Sequence, residues 1–317
     1  MPALGHSETG MTYAARLATP ATPLPAGWQE LRLDIPLAAG RVLQLRNARV
    51  RPANPGEFAP PVAKPSACAS NDDLLAYLDQ AFPDELDQLG ISAVTTNIMI
   101  HTLVALQPEP DTTPIHWQGR TYYARDKALA GLDETFLEAQ QHGVMVSAIV
   151  LVANPARGPN PLVSLLGHPD ALKDGIFAMP NVTSPDGIAL YGAVLNLMAE
   201  RWSRPDGKYG RVHHWIMHNE FDAGWVWTNA GDKPAIVYMD LYQRSLRLMD
   251  LIARQYDPNS RPFISLTHHW AYHGAEHWYG SKLLVDLLVR YTQAEGDFPW
   301  AMAYHPYPQN LFNPRAW

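Results

Sequence analysis

The sequence has a single cysteine, Cys68. An intrachain disulfide is therefore impossible, and no thiolate cluster can hold a metal. There is no run of three basic residues, and the formal net charge is −7. That excludes a basic face for polyanions, so nucleic acid is not an expected partner. No uninterrupted apolar stretch is long enough to span a bilayer, and no membrane partner is expected. The opening residues, MPALGHSETGMTYAARLATP, lack a basic start followed by an apolar core. No secretory signal is expected from them. The phosphate-cradling patterns G-x-G-x-x-G and G-x-x-x-x-G-K are also missing, so no nucleotide cofactor is expected, nor any other cofactor.

What remains is a globular composition. Charged residues make up 17% of the 317 positions and hydrophobic ones 47%, enough for a sizeable core in one large domain or two small ones. Residues 1–70 are rich in Pro and Ala, with two strand-like stretches at 29–35 and 41–50 and a Pro-crowded connector at 52–65. They read as a small β-rich lead-in. From residue 71 a rhythm begins. A helix capped by Asn71-Asp72-Asp73 runs to Leu89, and strand 92–100 follows. Residues 115–123 read as a hairpin turning at Gln118-Gly119. Helices at 127–142, 186–202, 235–256 and 281–294 then alternate with apolar strands at 144–152, 212–218, 262–268 and 299–304. Such alternation marks a parallel sheet. Its two architectures are the doubly wound open sheet and the (β/α)8 barrel. The strand ends favour the barrel, because polar and aromatic residues collect there: Asn97, Asn154, His218-Asn219-Glu220, His268-His269-Trp270 and His305-Pro306-Tyr307. In a barrel they converge on one face. Residues 71–317 are expected to form it.

Glu220 is the centre of the chemical argument. A carboxyl buried against indole rings stays protonated near neutral pH and can donate a proton. Beside it, Asn219 can hydrogen-bond a substrate hydroxyl. Trp225 and Trp227 can stack on the apolar face of a sugar, and Trp270, Tyr304 and Tyr307 can line the mouth. Asn97, His218, Asp222, His268, His269 and His305 complete the candidate contacts. The plain alternative is that Glu220 caps a helix or pairs with an arginine. Thirteen histidines invite a metal reading. However, no H-x-H occurs, and adjacent strand residues such as His268 and His269 point to opposite faces and cannot share one ion. No metal is expected.

The stretches LGISAVTTNIMI, HWQGRTYY, AERWSRPDGKYGRVHHWIMHNEFDAGWVWTNAG, FISLTHHW and YHPYPQNLFNPRAW, from about residue 86 to the end, resemble the DUF5722 family. That group is similar to the clan A glycoside hydrolases with (β/α)8 barrels. The resemblance implies that Asn219-Glu220 ends the fourth barrel strand, with Glu220 as general acid/base, and that Asn97 and His305 lie on the second and sixth strands. His305 would then stand near the nucleophile. Relatives often have Gly where this chain has His218, and Val-Asn where it has Phe221-Asp222. The implied partner is a carbohydrate, and the implied reaction is retaining hydrolysis. The clan's second carboxylate comes from the seventh strand, whereas Trp317 falls just past the sixth. Glu276 and Glu295 are not in its place. The resemblance therefore implies a barrel truncated after strand six, inactive alone. The rival expectations are a non-catalytic carbohydrate-binding barrel and a metal-dependent hydrolase.

Overall fold

The computed structural model describes residues 90–307 and, before them, the backbone of four strands. Those strands are β1 (Ala3–His6), β2 (Thr12–Ala18), β3 (Gln29–Pro36) and β4 (Val42–Val50), paired antiparallel in chain order. The two later strands coincide with the strand-like stretches of the sequence. β1 and β2 were not expected, because β2 contains Ala14, Ala15 and Ala18, and alanine is a poor strand former. The helix expected over 71–89, the connector at 52–65 and the residues from Pro308 onward lie outside the described residues.

The first strand of the main sheet is β5 (Ala93–Met99). A small antiparallel sheet follows: β6 (Val104–Ala105), β7 (Thr112–Trp117) and β8 (Arg120–Arg125). The β7–β8 turn falls on Gln118-Gly119, both at positive φ (48° and 76°), as a tight hairpin twisted like its strands requires. Then come α1 (Asp126–Gln141), β9 (Met145–Leu151), α2 (Pro161–Leu166), α3 (Pro185–Trp202), β10 (His214–Met217), α4 (Gly224–Trp227), α5 (Ala235–Tyr256), β11 (Pro262–Leu266), α6 (Ser281–Glu295) and β12 (Ala301–Tyr304). Among the long helices, α3 starts on a side-chain cap: Ser184 Oγ accepts the Gly187 N–H at 3.1 Å, with Pro185 in the first turn.

Two observations decide the architecture. The five parallel strands are ordered β5-β9-β10-β11-β12, strictly as in the chain. A doubly wound sheet reverses its order at a switch point. Moreover, the helices pack on one face only. Leu129, Phe136, Leu190, Tyr242, Leu284 and Leu288 share one core with Ile98, Val146, Val150, Trp215, Met217 and Ile264. The other face carries a small separate cluster, Ile149, Leu151 and Ile216, packed by Met99, Phe177, Phe263 and Ala303. This is an arc of barrel type. Among the described residues it is open, with β5 and β12 as edges, so the ring closure implied by an eightfold barrel is not present there. The outer-face residues Met302 and Tyr304 of β12 are about 40% exposed. The β7–β8 hairpin covers the back of α3, with Trp117 seated against Gly192. That cover explains why α3 is buried on nearly every side.

Candidate active site

The site stands where β10, β11 and β12 end. Register fixes the heights. Asn97, Ile149, Ile216, Phe263 and Ala301 form one layer, and Ser265 and Ala303 lie in the layer above. Past Met217 the chain leaves the sheet, and Glu220 takes a left-handed conformation (φ 38°, ψ 61°). Its N–H donates to Ser265 Oγ at 3.0 Å. Glu220 Oε1 lies 2.7 Å from His305 Nδ1, and the two side chains are 12% and 21% exposed. His305 Nε2 in turn is 3.4 Å from Ser265 Oγ. The backbone at His305 is held by its N–H bond to Leu266 O at 2.9 Å. The result is a carboxyl, an imidazole and a hydroxyl in series at the rim, gathered from three strand ends.

The group hydrogen-bonded to the carboxyl of Glu220 is His305. Trp225 is half-buried and stacks on His277 (centroids 4.2 Å apart, planes 21° apart). Trp227 packs beside Phe177 at 6.1 Å, next to the inner-face cluster. Asn219 is half-exposed. Its carbonyl accepts from Thr228 Oγ1 at 2.9 Å, and its side-chain amide has no hydrogen bond among the described residues. His268 and Trp270 are exposed on the loop after β11, and Tyr307 is 50% exposed. The rings of His268 and Tyr307 lie 6.2 Å apart, edge to face. His268 and His269 rings are only 4.0 Å apart. The strand argument that would separate them fails because β11 stops at Leu266 and both histidines lie beyond the pleat. Burial, then the neighbouring His268, holds the His269 imidazole below its ordinary range. Among the described residues no group of three or more His, Cys, Asp or Glu side chains converges on a point that suits a metal ion.

Four candidates stand elsewhere than expected. His218 is fully buried and turned to the helix side. Its Nδ1–H donates to Val150 O at 2.7 Å, and its Nε2 accepts from Ser245 of α5 at 2.9 Å. Tyr191 completes the chain by donating to Ser245 Oγ at 2.8 Å. Burial lowers the His218 pKa to about 4, so the ring is neutral. Asp222 is also fully buried. It accepts from Thr267 N (2.9 Å), Thr267 Oγ1 (2.5 Å) and Ser281 Oγ (2.6 Å), which ties the loop after β10 to the loop after β11 and to α6. These two residues build the wall, not the mouth. Tyr304 lies on the outer face of β12 and donates to His268 O at 2.8 Å, bracing the loop from behind. Asn97 is exposed on the inner face of the far edge strand, a layer below Ser265. Asn154, beyond β9, binds Leu172 O and Gly175 O and is structural. Sequence reasoning passed over Ser265, whose only signal was a hydroxyl inside the apolar strand PFISL, and Phe177 and His277, which had none.

A search of curated proteins found no match. Among solved structures the chain is similar to a β-mannanase from the blue mussel Mytilus edulis (12% identity, TM-score 0.43, covering 77% of this chain and 64% of that one). It is also similar to the exo-β-1,4-mannosidase Op5Man5 from Opitutaceae bacterium strain TAV5 (15%, TM-score 0.38, 69% and 33%). A third is an endo-1,4-β-mannanase from Rhizomucor miehei (11%, TM-score 0.38, 65% and 57%). The chain thus spans less than two thirds of the length of each. No helix among the described residues is long and apolar enough to cross a membrane. A family model, "Family of unknown function (DUF5722)", matches residues 74–317, and the chain belongs to that family.

Proposed function

We propose that this chain carries the proton-donating half of a glycoside-hydrolysing site, with Glu220 as general acid/base. The observation that supports this best is the half-held carboxyl at the strand rim. One oxygen of Glu220 is engaged by His305 at 2.7 Å, and the other has no partner among the described residues. A carboxyl so placed can hand its proton to a glycosidic oxygen as the C–O bond breaks with its bonding pair to that oxygen and a second carboxylate bonds to the anomeric carbon. In the second half of the reaction the Glu220 carboxylate takes a proton from water as the water oxygen bonds to the anomeric carbon and the second carboxylate departs with the bonding pair. Asn219 offers its amide to a hydroxyl beside that carbon. Trp225, Trp227, Trp270, His268 and Tyr307 supply the flat and edge surfaces a sugar ring packs on.

Retention of configuration needs a second carboxylate about 5–5.5 Å from the first. Asp222 is consumed by its three hydrogen bonds, and Glu295 is bonded to Gln243. We place the second carboxylate outside the described residues.

The test compares two leaving groups. Glu220→Gln should lower kcat/KM on unactivated oligosaccharides by roughly 10²–10⁴-fold. It should largely spare aryl glycosides whose phenol leaves without protonation. Equal loss on both substrates removes the acid role. In a form that carries the second carboxylate, sugar binding with no turnover of either substrate supports a carbohydrate-binding barrel instead.

A further inference from the structure

We infer that Ser265 is a positioning residue for the acid. It fixes the tautomer of His305 and thereby decides which oxygen of Glu220 carries the transferable proton. The argument counts protons. Ser265 Oγ accepts the Glu220 N–H at 3.0 Å. Its own hydroxyl proton then needs an acceptor, and His305 Nε2, at 3.4 Å, is the one it has among the described residues. A ring nitrogen that accepts carries no proton, so the neutral imidazole holds its proton on Nδ1. Nδ1 is the nitrogen that faces Glu220 Oε1 at 2.7 Å. Oε1 is then an acceptor and cannot also hold the acid's proton. That proton is left on Oε2, the oxygen with no partner among the described residues.

Without the Ser265 hydroxyl, His305 can shift to the other tautomer. Nδ1 then accepts from a proton on Oε1, and the acid points its proton at the imidazole instead of the substrate. The same serine also holds the Glu220 N–H in a left-handed backbone conformation (φ 38°) that residues other than glycine seldom adopt. Ser265 is itself fully buried. The serine–imidazole–carboxyl series is therefore not a nucleophilic triad, because no substrate carbon can reach Oγ.

The catalytic consequence rests on Glu220 being the acid, whereas the tautomer does not. Long-range ¹H–¹⁵N correlation on the labelled chain distinguishes the two neutral tautomers from the imidazolium, and His305→Gln identifies the signals of His305. The wild type and Ser265→Thr should both show the Nδ1–H form, and Ser265→Ala should convert a major fraction to Nε2–H. A wild-type ring protonated on Nε2 or on both nitrogens overturns the inference, as does an unchanged tautomer ratio in Ser265→Ala. Should that variant fail to fold, the wild-type ring alone decides: the Nδ1–H form supports the inference, and the Nε2–H form or the imidazolium overturns it. In turnover, Ser265→Ala should lower kcat on unactivated glycosides roughly tenfold with KM unchanged. Failure of all turnover in a form that carries the second carboxylate counts against the acid role of Glu220 and leaves the tautomer measurement decisive for Ser265.

Discussion

Acid should weaken this fold through His218. Its ring is sealed between the sheet and α5, with Nδ1–H on Val150 O and Nε2 accepting from Ser245. A protonated ring would carry a second N–H aimed at a hydroxyl that already donates to it, in a fully buried site. Its pKa is accordingly pushed down to about 4 from the ordinary 6.5. The unfolded chain therefore binds the proton more readily than the folded one. Stability is complete above the unfolded pKa and is lost as pH falls from about 6.5 toward 4. A gap of about 2.5 units corresponds to ~3 kcal/mol in full, of which about 2 kcal/mol is lost between pH 7 and pH 5. His168, also buried and lowered to about 4, adds a slope of its own. The comparison that isolates His218 is with His218→Gln, whose amide can still donate to one partner and accept from the other. Urea unfolding at a series of pH values should show the variant less stable at neutral pH but with a shallower decline on acidification. A variant that loses as much stability as the wild type between those pH values would refute this account of the buried chain.

Other perturbations have equally definite outcomes. Asp222→Ala leaves the Thr267 N–H and hydroxyl without their acceptor in a sealed site, and leaves Ser281 only its bond to His269 O at 2.9 Å. It should cost about 3 kcal/mol or more in denaturant unfolding, with loss of sugar binding as the two loops part. Gly210→Ala would drive a Cβ to within 2.3 Å of the Phe136 carbonyl carbon at a φ of +76°. Destabilisation by about 2–4 kcal/mol should appear as a lowered thermal midpoint. Trp225→Ala, which leaves His277 without its stacking partner, should weaken oligosaccharide binding by calorimetry about tenfold with the circular dichroism unchanged.

Much of this was legible in the sequence where periodicity and punctuation agree. α5 spans the residues its apolar spacing marks, and the hairpin turns at Gln118-Gly119 because a pair at positive φ calls for glycine. The placement of Glu220 at a strand end followed from an apolar run meeting a polar triplet. Strand alternation could not say which way His218 faces, because it governs only the pleated residues and β10 ends at Met217. The same limit put His268 and His269 on opposite faces when their rings touch. Asp222 read as a mouth residue because a carboxylate near a strand end suits both substrate contact and internal bracing. Only Thr267 and Ser281, remote in sequence, decide between them. Ser265 escaped notice for a similar reason. A lone serine in a strand is ordinary, and its two partners come from 45 and 40 residues away.

Each strand of the arc lies beside the one made just before it. A nascent chain leaving the ribosome therefore never waits for a distant segment to complete an inner pairing. Every new helix–strand unit finds a finished edge to join, and growth can proceed by accretion from the amino end at the pace of translation.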